Sequence, residues 1–338
     1  MSMLTRRRVP LVRARAAVCV LMCACAVAVL VVRASARQNE SRALADRRKA
    51  WAELLKFEGK ELDKLEGDAA GAVVKLANRL LPDRKDPEDF AVRVRKPRLL
   101  ARVKTGAGAR GVLLDSQFLC ISPGQTWHYI YFFDESGKML GSSHFSAGWR
   151  VCPSGARLTT RAGLDAPLLK MEGDGLGSFA FAPGVVAYYA LLGERAVLVR
   201  LEDGRGKVLR NWYGCEYPLI GPTPPERTAE EWVRALSSPD KVEVLQALLW
   251  VGGLHHDEEN LKGEQEEHKR LRLAYPDERG ELSMSTLDRC PAALEEARRY
   301  AALLARADLR PQLERLAASD DEWVRQAAES ALTPPKKY

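Results

Sequence analysis

The chain lacks the spacings in which catalytic and metal-binding side chains are commonly arranged, and it has few histidines. Its 338 residues include five histidines, with no H-E-x-x-H array, so the common helical zinc-hydrolase arrangement is excluded. Seven cysteines occur without one C-x-x-C pair, which argues against a thioredoxin-like redox site or a zinc finger. Aromatic residues make up only 7% of the chain and nowhere interleave with basic ones. Stacking on bases between cationic side chains needs that pattern, so no nucleic-acid partner is expected. Gly106–Gly111 fits G-x-G-x-x-G, but Val112-Leu113-Leu114-Asp115 follows as a strand-like run. A dinucleotide site requires a helix there, with its N-terminus facing the phosphates, so a β-turn is expected and no cofactor. The acidic, glycine-rich stretch Glu172–Gly177 lacks the alternating ligands of a calcium loop.

Long hydrophobic runs are also scarce, with one exception. Ala16–Val32 contains 17 uncharged residues between Arg13 and Arg15 on one side and Arg33 and Arg37 on the other. Seventeen residues sit at the lower limit for a membrane-spanning helix, and flanking arginines extend its reach by snorkelling. A secretory h-region is usually shorter, which favours an uncleaved signal-anchor. Ala34-Ser35-Ala36 nevertheless fits a small-x-small cleavage site, so export with removal after Ala36 stands as the alternative. Arg6, Arg7, Arg8, Arg13 and Arg15 precede the run without an acid, whereas Glu40 and Asp46 dilute the cations after it. This bias places the N-terminus in the cytoplasm and the bulk outside it. Much of the net charge of +7 lies in these flanks and is directed at a membrane surface.

Beyond the anchor, a hydrophobic content of 46% and a charged content of 29% describe a globular protein. The expected architecture is multi-domain α+β: a transmembrane or signal segment over 1–37, a helical stalk over 38–82, a β-rich domain over 90–222 and a helical domain over 223–333. In the stalk, Leu44, Trp51, Leu55, Leu62 and Leu65 recur close to one helical stripe. That stripe serves either oligomerisation through residues 40–65 or packing on the β-rich domain. Short β-type runs are read at Phe90–Val94, Leu99–Val103, Gly111–Asp115, His128–Phe133, Val185–Leu192 and Ala196–Leu201. Ile130–Leu140 and Val199–Leu209 both place an Asp, a Gly and a Lys in the same order between apolar runs, which is hairpin-turn chemistry.

Leu309–Leu332 carries a helix, the acidic turn Asp320-Asp321, then Val324-Arg325 and spaced Ala328 and Leu332. This segment resembles a HEAT-type helical repeat, and Asp240, Ala247 and Val251 of the preceding helical pair align with it more loosely. The resemblance implies stacked helical pairs packed through Asp321, Val324, Arg325, Ala328 and Leu332, together with a surface for an unidentified protein partner. It carries no catalytic residues.

Two weaker constellations complete the inventory. His255, His256 and His268 sit among carboxylates in a charged insertion and are candidate zinc ligands by type, but no recognised ligand spacing is present and charge runs normally stay hydrated, so a solvated loop is the expected reading. Cys120, Cys152, Cys215 and Cys290 lie in the presumed exported part, where disulfides are permitted. With His128 and His144, Cys120 and Cys152 supply the types for a thiol nucleophile and its base. The expected function is a membrane-anchored, non-enzymatic scaffold. The alternative is an exported enzyme or sensor with a site around His128–Cys152.

Overall fold

A computed structural model describes residues 38, 40–81, 93–119, 125–149, 153–173, 186–208, 227–252, 303 and 305–333. Helix α1 covers residues 40–54 and is followed by two single 3₁₀ turns at Leu55–Phe57 and Leu62–Lys64. Helix α2 spans Gly67–Leu80. Eight strands follow in chain order: β1 Pro97–Thr105, β2 Gly108–Leu119, β3 Gln125–Phe133, β4 Met139–Trp149, β5 Pro153–Thr159, β6 Leu168–Gly173, β7 Val186–Leu192 and β8 Arg195–Glu202. Helices α3 (Ala229–Ala235), α4 (residues 241–252), α5 (Leu309–Ala317) and α6 (Glu322–Leu332) complete the described chain.

The strands form two antiparallel four-stranded meanders, β1-β2-β3-β4 and β5-β6-β7-β8. Successive side chains on a strand alternate between the two sheet faces, and here both faces are covered. Val112, Leu114, Ile130 and Phe132 of the first sheet meet Leu169, Tyr189, Leu191 and Leu198 of the second in a central core. On the outer face of the first sheet, Leu100, Leu113, Tyr131 and Phe133 pack against Trp51 and Leu54 of α1 and Val73, Ala77 and Leu80 of α2. On the outer face of the second, Leu168, Ala190, Val197 and Val199 pack against Trp232, Leu245, Leu313 and Ala328 of the C-terminal helices. The order of layers is helices, sheet, sheet, helices. A register shift in the β7–β8 pairing matches Tyr188 with Arg200 and Tyr189 with Leu198. The extra residue in β8 lets Val199 and Arg200 both face the helices.

This arrangement corrects the expected fold class. Helices α3 to α6 are not a HEAT-like array of stacked repeats. Their apolar faces close on one side of the second sheet, and α5 and α6 form a single short pair of nine and eleven residues. Small residues at Ala327, Ala328 and Ala331 let α6 come close to its neighbours, a requirement that helix-on-sheet packing shares with a solenoid. No described helix is long and apolar enough to cross a membrane. The expected transmembrane helix from Ala16 to Val32 lies outside the described residues, as do Ala34 and Ala36.

The stalk stripe is used within the chain. Helix α1 ends at residue 54, and Trp51, Leu54 and Leu62 are buried on the first sheet. Strands β4, β5 and β6 were absent from the expected set. At Phe90–Val94 the described part, residues 93 and 94, is coil, and Asn78 fixes it by exchanging two hydrogen bonds with the backbone of Val94. The two look-alike hairpins do share their turn. Asp134 Oδ1 accepts from the backbone N–H of Ser136 and Lys138, and Asp203 Oδ1 accepts from those of Arg205 and Lys207. Gly137 and Gly206 close the turns with φ of +78° and +81°.

Trp51 depends on two glycines. A Cβ on Gly111 would lie 2.2 Å from the indole, and one on Gly137 would lie 2.5 Å from the Trp51 Cβ. Gly111→Ala is therefore expected to destabilise the fold by about 1–3 kcal/mol through overpacking. Trp51→Ala should cost about 3–5 kcal/mol through the cavity it leaves. Guanidinium unfolding of the variants, followed by circular dichroism, checks both values.

Candidate functional site

Three polar assemblies stand out among the described residues. The first surrounds His128, the histidine suspected of acting as a base. His128 on β3 pairs in register with Ser116 on β2, and its Nδ1 lies 2.9 Å from the Ser116 Oγ. Both residues are buried between the sheets, with His128 only 1% exposed. Burial and then the nearby Arg98 push the imidazole down to about 3, so it is neutral at ordinary pH. Asp115 is adjacent in sequence but belongs to the other face of the strand, as the pleat requires. Its carboxylate accepts from the backbone N–H groups of Arg95 and Lys96. A Ser–His–Asp relay is thus not assembled from these three residues. His144 lies opposite Tyr129 in the β3–β4 register, and Cys120 and Cys152 lie outside the described residues.

The second assembly joins the second sheet to α6. Asp321 caps the helix, accepting from the N–H groups of Trp323 and Val324. It also receives a two-pronged contact from Arg161 at 2.8 and 3.0 Å, and Lys241 Nζ at 3.0 Å. Burial opposes its charge, but the hydrogen bonds from Arg161 and Lys241 prevail and hold the carboxyl well below the usual carboxylate range. The Trp323 ring lies between the guanidinium groups of Arg161 at 4.6 Å and Arg200 at 4.9 Å, with the Tyr188 ring 4.9 Å away. Arg200 in turn donates to Glu202 and Gln326, and the Tyr188 hydroxyl donates to Glu202. Burial, helped by Glu202, pushes the Tyr188 phenol up to about 12. Each charge here is met by another, so the cluster acts as a clasp holding α6 on the sheet.

The residues named by the repeat resemblance fall around this clasp. Asp321 is the cap, Val324 and Ala328 are buried, Leu332 packs at the edge of the same core, and Arg325 donates to the Ser319 carbonyl at 2.9 Å. His255, His256, His268, Cys215 and Cys290 lie outside the described residues. Within those residues, no three His, Cys, Asp or Glu side chains are grouped to hold a metal ion. Gly106 and Ala107 form the β1–β2 turn, in which Thr105 Oγ1 donates to the Gly108 carbonyl. The G-x-G-x-x-G match is a hairpin.

The third assembly is a cleft of about 800 Å³ where α1, the C-terminal end of α2 and the β3–β4 turn converge. Arg47, Arg79 and Lys138 line it, with Asp46 the lone acid, over the apolar side chains of Leu80, Leu81, Met139 and Leu140. Arg79 and Lys138 are exposed and Arg47 is half-buried. Nothing in the sequence pointed to this cleft, because its lining comes from three segments spread over nearly 100 residues. The only local sign was the excess of basic residues after the apolar run.

No family model matches the chain, and neither a curated protein nor a solved structure matches it.

Two outcomes are expected from these geometries. The folded Asp321 carboxyl binds its proton more weakly than an unfolded one, so the stability it contributes is present above about pH 4 and is lost as acid protonates it. Asp321→Asn should therefore lower stability near neutrality and leave a smaller loss between neutral and acid pH than in the parent, as read by denaturant unfolding across pH. The His128 ring should show no titration between pH 5 and 9 in NMR spectra. A midpoint near 6.5 would show instead that solvent reaches the imidazole.

Proposed function

We propose that the chain is a membrane-anchored, non-enzymatic interaction protein with its folded body outside the cytoplasm. The observation that carries the reading is the way α1 leaves the body. Its second half is seated on the first sheet through Ala50, Trp51 and Leu54, while residues 40–46 are exposed apart from Leu44, which is half-buried. In sequence, this exposed half follows directly on the apolar run Ala16–Val32 and its arginine-rich flanks, whose charge bias is that of a membrane segment with a cytoplasmic N-terminus.

The polar chemistry of the body supports a binding role over catalysis. The Ser116–His128 pair is neutral and closed to solvent. Asp321 and Glu202 are occupied by Arg161, Lys241, Arg200 and Tyr188 in holding α6. An open basic cleft of about 800 Å³ lies instead beside α1, away from both of these assemblies.

The full chain is expected to stay in the membrane fraction after alkaline carbonate extraction, with its body digested by protease added to the non-cytoplasmic side. A chain lacking residues 1–37 should be released. Recovery of a shortened chain in the carbonate supernatant, with an N-terminus at Arg37, would favour cleaved export over anchoring.

A further inference from the structure

We infer that the cleft between α1, α2 and the β3–β4 turn seats the headgroup of an anionic phospholipid from the membrane that holds the chain; this rests on the anchored reading above. The lining separates into two parts that match such a molecule. Arg47, Arg79 and Lys138 line the opening with Asp46 as the one acid in the lining. The Asp134 carboxylate of the same turn also faces Lys138 electrostatically, but none of the three cations forms an ion pair among the described residues. Lysine and arginine donors suit a phosphodiester. Beneath them Leu80, Leu81, Met139 and Leu140 supply an apolar floor for the glycerol and the first methylenes of the acyl chains.

The partner is argued from where the chain runs. The apolar run ends at Val32, and Ala43 of the cleft follows eleven residues later. Those residues reach about 16 Å as a helix and at most about 40 Å fully extended. The cleft is thus held near the headgroup layer by its own chain, where local lipid concentration is far above that of any soluble ligand. Arg42, Arg48 and Lys49, all exposed on α1, add attraction to a negative surface at short range. The matching turn of the second sheet serves as an internal contrast. Lys207 follows Asp203 there as Lys138 follows Asp134, and both lysines are exposed, but only Lys138 lies in the cleft.

The full chain can be reconstituted into nanodiscs of phosphatidylcholine alone or with phosphatidylglycerol, and lysine acylation mapped by mass spectrometry. The expected result is a several-fold drop in Lys138 modification in the anionic discs, with Lys207 unchanged. High salt should reverse the protection, and so should the double variant Arg47→Glu/Arg79→Glu, whose circular dichroism should match the parent. Equal Lys138 modification in both discs would overturn the inference while leaving the anchor intact. Protection that ignores lipid charge but grows with the number of chains per disc would make a second copy the occupant, and would overturn it equally. A chain that fails to enter either disc would remove the anchored reading and this inference with it.

Discussion

Each of the two sheets is apolar on both faces, and the rest of the structure follows from that. A sheet with one wet face needs only one partner layer. Here Leu113, Tyr131 and Phe133 on one outer face, and Leu168, Ala190 and Val197 on the other, would meet water unless helices covered them. At about 25 cal/mol per Å² of apolar area, exposure of either face would outweigh the net stability of an ordinary domain. The helices before β1 and after β8 are therefore structural walls. Their sequences can be charged on the solvent side because only a narrow stripe of each is needed for the sheet.

The same constraint explains what could be read from the sequence. Strands β2, β3, β7 and β8 contain the runs Val112–Leu114, Tyr129–Phe133, Val186–Leu191 and Ala196–Val199, which show no alternation because both faces are buried. Such runs stand out, and the expected strands coincide with them. Strands β4 and β5 are interrupted by small residues, Gly141, Ser142, Ser143 and Gly155, which break up any β-type run and left them out of the expected set. The Asp134 and Asp203 turns were legible because their chemistry is local. The layering was not, since nothing local in α6 says whether its Ala face meets another helix or a sheet.

That ambiguity accounts for the repeat resemblance. A capping Asp321 followed by Val324, Arg325 and Ala328 records a helix that starts sharply and packs closely. The identity of the opposing surface is written elsewhere, in Arg161 and Arg200, which sandwich Trp323 from 162 and 123 positions away. The clasp therefore could not be seen from the repeat segment. The cleft was hidden for the same reason, with only its basic side announced by composition.

Trp51 ties the first helix to the inner part of its sheet. Its indole sits over the bare backbone at Gly111, in the second strand of its sheet, and beside Gly137 at the turn leaving the third. The segment just after α1 is bonded instead to the outer strand β1, through the Gly59 N–H to the Leu100 carbonyl and through Arg102 to Glu58. The N-terminal helical layer therefore grips its sheet at two depths, by packing at the inner strands and by hydrogen bonds at the edge. Loss of that layer would bare the inner strands and free the edge together.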